Sequence, residues 1–281
     1  MRETATYKTP AILALLLSVV IVESAAYATP ADQPCEDVVC VEVEKLQDTV
    51  TFYAISQADA VTISFSVSVM NMEPAFPPII ERSLMRGRTK LLTLKTIRGK
   101  KPQFDHGFFW EWGILDAKHD DSVSYRLPWQ SGGEFRLFQG PNGTLTHQGI
   151  SAYDFPMPKG TPVCAARGGR VIEVVDGFGD GGFDLSFSDK ANKIVILHQD
   201  GTLAAYLHLL MGGMHVKPGD FIEAGAVIGS SGNSGRTDGP HLHFEVYRRM
   251  AGSKRETIPV KFHVAHRDGV VLEEKKSYRA E

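Results

Sequence analysis

The chain has little of several things, and each shortage narrows what it can be. Its 281 residues include three cysteines, Cys35, Cys40 and Cys164. That is too few for a disulfide-built scaffold. No two of them form a Cys-x-x-Cys pair, which excludes zinc ribbons and thioredoxin-like motifs. Cys35 and Cys40 could close a small loop, while Cys164, in "TPVCAA", reads as a buried free thiol. Neither sign of charge is in excess, with 30 Lys and Arg against 33 Asp and Glu for a net charge of −3. Electrostatics therefore give no case for a nucleic-acid partner. Sustained helical periodicity with caps is missing, and so is a His-Glu-x-x-His pair.

Long hydrophobic runs are also scarce. The one candidate is "AILALLLSVVIV", Ala11 to Val22, preceded by Arg2 and Lys8 and followed by the small-x-small stretch Ala26-Tyr27-Ala28. It is too short to span a bilayer comfortably. Residues 1–28 read as a cleaved secretory signal, with the mature chain starting near Thr29. The expectation is an exported protein, periplasmic or extracellular, with no stable membrane insertion after cleavage. No cysteine ends the run, so a lipid-anchored start is not expected.

What the chain does have is β-pattern. In "VTISFSVSV" the residues Val61, Ile63, Phe65, Val67 and Val69 alternate with Thr62, Ser64, Ser66 and Ser68, which makes a strand with one wet and one buried face. "LLTLKTI" (Leu91 to Ile97) and "GFFWEWGIL" (Gly107 to Leu115) are further strands, and "MEPAFPP" (Met72 to Pro78) is a connection. Residues 29–125 are expected to form a sandwich-like antiparallel β domain that positions or restricts a substrate. A second unit, residues 126–250, has short strands between Gly-rich turns and reads as antiparallel β. Residues 251–281 are a charged tail, with possible strands in "IPVKFHV" and "GVVLEE", packing back on the domains. The fold class is mainly β.

Two local matches are set aside. "GFGDGG", Gly177 to Gly182, fits the dinucleotide fingerprint, but strand-like "KIVILH" follows where a helix is required. The stretch from Asp176 to Asp189 reads better as a mobile loop that shapes a groove. Asn142-Gly143-Thr144 is formally a glycosylation acceptor, yet Asn-Gly favours a turn.

The chemistry gathers in the second unit. "DGPHLHFEV", Asp238 to Val246, places His241 and His243 on one face of a strand and Leu242, Phe244 and Val246 on the other. "THQGISAYDFPMPKGTPV" adds His147, and Asp154 between two aromatics that point the opposite way. "TLAAYLHLL" adds His208, which alternation places on the face of Tyr206, opposite Leu207 and Leu209. The other histidines carry no matching role: His106 and His119 read as surface residues, His198 as surface or core, and His215, His263 and His266 as solvated. Glu245 is placed to hydrogen-bond a ligand from behind.

Taken together, "HQGISAYDFPMPKGTPVCAARGGRV", "YLHL", "VKPGDFIEAGAVIGSSGNSG" and "GPHLHFEV" resemble the lysostaphin-type (LytM-type) zinc metallopeptidases over roughly residues 139–247. The resemblance implies an antiparallel β peptidase domain that hydrolyses stem or cross-link peptides of bacterial peptidoglycan. It implies Zn2+ as cofactor, His147, Asp154 and His243 as metal ligands, and His208 and His241 as catalytic histidines. Six residues separate His147 from Asp154, a longer spacing than many members have.

The donor set is sound chemistry in itself. Two neutral imidazoles and a carboxylate are a normal zinc set with one position left open, and water at that position has its pKa lowered to about 7. His208 and His241 could act one as base and the other toward the oxyanion, with the assignment open. The alternatives are a catalytically silent regulator of wall hydrolases with the same fold, or a peptidase acting on proteins.

Overall fold

The alternating segment becomes the ten-residue strand Val61–Met70 in the computed structural model, which describes residues 38–281. Val61, Ile63, Phe65 and Val67 are buried, while Ser66 and Ser68 face solvent. The strand is the middle of a three-stranded antiparallel sheet, between Ile80–Leu84 and Gln103–Trp112. At Asn71 the chain leaves this sheet with φ +60, a backbone region that Asn tolerates better than most residues. It then enters a four-stranded sheet in the order Val39–Leu46, Thr49–Ser56, Gly87–Thr96, Met72–Glu73. Phe52 and Leu94 from the second sheet and Ile63 and Phe65 from the first share one apolar cluster. Cys40 lies in the Val39–Leu46 strand. Cys35 and the segment read as a signal fall outside the described residues.

The larger half is built on a seven-stranded antiparallel sheet. Its order is Ala152–Pro156, His241–Met250, Leu203–Leu207, Lys193–Leu197, Gly169–Val175 and Phe221–Ile222, with Lys254–Thr257 also pairing to His241–Met250. A three-stranded sheet of Pro162–Cys164, Val227–Ser231 and Leu209–Met214 accompanies it. Among the described residues the only helical element is a single 3-10 turn, Leu185–Phe187. Alternation gives the main sheet two apolar faces. Leu242, Phe244, Val246, Tyr206 and Ile196 belong to the principal core. Leu203, Ala205, Val195, Leu197 and Tyr247 face the other way, where Ala60, Trp112 and Ile114 of the N-terminal half cover them. Gly113, at φ +108, sits in this seam, and a Cβ there would stand 2.7 Å from Leu203. An ion pair from Arg249 to Glu111 at 2.9 Å closes the seam.

The C-terminal segment is more deeply woven in than a tail. Lys261–Val264 pairs in parallel with Ser124–Tyr125, and Ser277–Arg279 pairs with Glu134–Arg136. Phe262, Val264, Leu272 and Ala280 join the principal core. Cys164 is a buried free thiol.

Of two histidines expected at the surface, His119 is largely covered and His106 is half-buried. The His119 side chain is 7% exposed. One of its nitrogens contacts Asp121 and the other lies 3.2 Å from the Tyr125 hydroxyl. His106 packs its ring against Phe52 and Phe65. His198 is buried, donates Nδ1–H to the Gly168 carbonyl at 2.9 Å and meets Tyr125 edge-on. Burial, reinforced by Arg167, pushes its pKa down to about 4. The unfolded chain then binds a proton that the native protein refuses, so native stability falls as pH drops from about 6.5 through 4. His198→Asn, which keeps a donor for Gly168, should shrink the difference between urea midpoints at pH 7 and pH 4.5. The lost contribution is on the order of 3 kcal/mol, and an unchanged difference would show that the acid sensitivity lies elsewhere.

Candidate metal centre and active site

Asp154 and His243 meet because their strands pair in register, Asp154 directly opposite His243, where cross-strand side chains touch. His243 Nδ1 lies 2.9 Å from Asp154 Oδ1. Tyr153 and Phe155 point the other way, into the core. His147 comes in from the loop before this strand and places Nε2 3.1 Å from Asp154 Oδ2. The candidate ligand atoms of His147, Asp154 and His243 all lie within 4.8 Å of one another.

His208 and His241 stand beside this group, their rings 4.6 Å apart, and the His208 ring is 5.9 Å from that of His243. Simple alternation misplaced His208. Tyr206 is in the core while His208 lines the cleft. The strand ends at Leu207 and His208 takes φ +62. This left-handed residue reverses the alternation, so Leu207 packs in the seam and Leu209 in the principal core.

The tautomers follow from the partners. His147, His208 and His241 each direct Nδ1 at a backbone carbonyl, of Gly140 at 3.0 Å, Ser234 at 2.7 Å and Gly239 at 2.8 Å. A carbonyl can only accept, so each Nδ1 carries a proton, and in the neutral ring each Nε2 keeps its lone pair. His147 Nε2 is buried and has no hydrogen-bond partner. With His147 neutral, two acceptors would face each other at 3.1 Å inside the protein, which is unfavourable unless a proton or a cation lies between them. Two imidazoles and a carboxylate are a donor set for zinc, so these residues fit that ion.

The charges agree. Burial opposes ionisation of Asp154, but His147 and His243 outweigh it and hold the carboxyl well below the usual range. Burial works against a charged His243, but Asp154 and Glu245 outweigh it and raise its pKa to about 9. Burial, with His241 and His243 nearby, pushes His208 down to about 3, which keeps it neutral. Glu245 Oε2 lies 3.5 Å from His243 Nε2, and its other oxygen is 2.7 Å from Arg255.

Sequence reasoning passed over Gln139. Its Nε2 donates to Thr146 Oγ1 at 2.8 Å and to Asp154 Oδ2 at 3.1 Å, and its Oε1 accepts the Leu145 and Thr146 amides, both at 2.9 Å. One buried amide thus ties the His147 loop to the Asp154 carboxylate. Gly143 makes room for it, since a Cβ there would lie 2.3 Å from Gln139 Cγ. Gln139→Ala should weaken metal binding about 10- to 100-fold, read as faster zinc loss to a chromogenic chelator. Unchanged zinc release would assign Gln139 to the loop alone.

The centre opens into a cleft of about 620 Å3 whose walls include Phe138, Leu145 and Phe183. Phe183 follows the Gly-rich stretch and is 68% exposed. That stretch is anchored, because Gly181–Gly182 pairs in parallel with Gly235–Arg236. The Asn142 segment is a turn, closed by the Gly143 amide on the Gly140 carbonyl, with Asn142 at φ +57.

A β domain that offers two imidazoles and a carboxylate to one cation, with two more imidazoles beside it, has the make-up of a metallopeptidase. Residues 146–257 match the model of peptidase family M23. The chain carries a domain of that family, of the lysostaphin type, over those residues. Lysostaphin of Staphylococcus simulans is 35% identical over 142 residues, 49% of this chain and 24% of its own length. Peptidoglycan DD-endopeptidase ShyA of Vibrio cholerae is 36% identical over 109 residues, 38% of this chain and 23% of its own length. The solved catalytic domain of lysostaphin from Staphylococcus simulans is 28% identical, with a TM-score of 0.30, covering 41% of this chain and 78% of that one. The chain spans about a quarter of the length of the curated relatives it matches.

Proposed function

We propose that the protein is an exported zinc metalloendopeptidase that hydrolyses peptide bonds of bacterial peptidoglycan, in stem or cross-link peptides. The observation that carries the reading is the unpartnered Nε2 of His147 facing Asp154, next to His243 and the His208–His241 pair. His147, Asp154 and His243 would hold zinc, which when bound polarises a scissile carbonyl and acidifies water.

The remaining work falls to the chain's own side chains. His208 and His241 each keep an Nδ1–H fixed on a backbone carbonyl, which orients Nε2 for the cleft. A neutral Nε2 can take a proton from attacking water and, once protonated, can donate to the oxyanion or the leaving amine. The surroundings of His208 keep it neutral, so its Nε2 is free to accept a proton. Phe138, Leu145 and Phe183 give the open cleft apolar walls. The relatives named for lysostaphin and for a peptidoglycan DD-endopeptidase support the wall substrate. Export rests on the N-terminal segment read from sequence; no described helix is long and apolar enough to cross a membrane.

The test is digestion of purified peptidoglycan with the mature protein. Soluble fragments with new amino termini should appear, vanish with a chelator and return with Zn2+. Intact peptidoglycan with zinc-loaded protein would remove the substrate assignment.

A further inference from the structure

We propose a second transition-metal site on this chain, formed by His263, His266 and Glu281 and independent of the central site. The hairpin Lys261–Val264 and Arg267–Val270 turns on Ala265 and His266, both at positive φ, +51 and +57. Such two-residue turns usually take Asn and Gly. Here the tip presents an imidazole instead, toward Glu281, just beyond the Ser277–Arg279 strand.

Glu281 Oε2 lies 2.8 Å from His266 Nδ1 and 3.5 Å from His263 Nε2. The three ligand atoms lie within 4.8 Å of one another, the same clustering found for His147, Asp154 and His243. The other nitrogen of His263 is already committed, with Nδ1 2.8 Å from Asp268 Oδ1. A carboxylate behind an imidazole fixes its tautomer, turns its free nitrogen outward and raises its basicity, the usual support of a metal-bound histidine. The Glu281 carboxylate is itself oriented, since Oε2 accepts the His266 amide at 2.9 Å. His263 and Glu281 also border a cavity of about 360 Å3 with Arg126 and Trp129, which leaves space for water or an anion as a further ligand.

Two imidazoles and one carboxylate select borderline divalent ions such as Zn2+, Ni2+ or Cu2+ over Ca2+ or Mg2+. The ligands come from two places, the hairpin and the residue just past the Ser277–Arg279 strand, so an ion there ties these two segments together. His266 is 89% exposed, so the site should bind more weakly than the central one and respond to the metal concentration outside.

The experiment is calorimetric titration of the full mature chain with Zn2+, from the metal-free state. Wild type should take two equivalents. His266→Asn, which suits the left-handed turn and is a poor ligand, should take one, as should His263→Ala. His243→Ala should lose the tighter event and keep the weaker, so failure of the central site is told apart from failure of this one. Asp268→Asn should weaken the second event about tenfold. A single equivalent in wild type that His243→Ala abolishes, or a weaker event that survives in the His263→Ala, His266→Asn double variant, overturns the proposal.

Discussion

His243→Ala should leave a folded protein with less than about a tenth of the wild-type zinc at the central site and no measurable hydrolysis. Three protein donors are the working minimum for a hydrolytic zinc site with one open position. His243 provides the donor that sits squarely opposite Asp154 in the paired strands. Without it, His147 and Asp154 alone face the ion. Its neighbours Leu242 and Phe244 face the principal core, so truncation on the other side leaves the packing of the strand in place. Removing the imidazole also strips Asp154 of one of the contacts that keep it ionised inside the protein, so the metal-free variant should melt below metal-free wild type. Metal analysis and thermal melting check both points. Full zinc occupancy in this variant would exclude His243 from the ligand set.

His208→Ala should separate binding from chemistry. Zinc should stay, because His208 is not one of the three clustered donors and its Nδ1 is spent on the Ser234 carbonyl. Turnover should fall by about 10²- to 10⁴-fold, the typical loss for a positioned acid–base group, with a smaller effect on KM. Because its surroundings hold His208 neutral far below ordinary histidine values, His208 should contribute no acid limb near pH 6 to the rate profile. A variant that turns over normally, or one that loses its zinc, would contradict this division of labour.

How much of this was legible in the sequence depended on the range of each interaction. Period-two alternation is local, so Val61–Met70 and the two faces of His241–Met250 could be read directly. His241 and His243 share a face, as spacing requires, and Asp154 stands opposite the aromatics beside it. Alternation failed at His208, where one left-handed residue inverted the pattern, and nothing in "YLHL" signals a positive φ. Gln139 was invisible because its role lies in four hydrogen bonds to residues that only the folded loop brings near. His119 looked solvated beside Asp120 and Asp121, yet Tyr125 covers it. The C-terminal stretches holding Phe262 and Leu272 read as possible strands packing back, but their partner strands, more than a hundred residues earlier, could not be read from local pattern.

The seam between the halves decides how the molecule can be taken apart. Trp112, Ile114 and Ala60 roof the greasy side of the main sheet, over Val195, Leu197, Leu203, Ala205 and Tyr247. A fragment beginning near residue 126 would turn that aliphatic floor toward water, and molecules of it should clump through the exposed patch. The first half is thus a structural cover whatever else it does. Its influence on the proposed wall cleavage is best probed in the intact chain, by changing side chains on its outer surface.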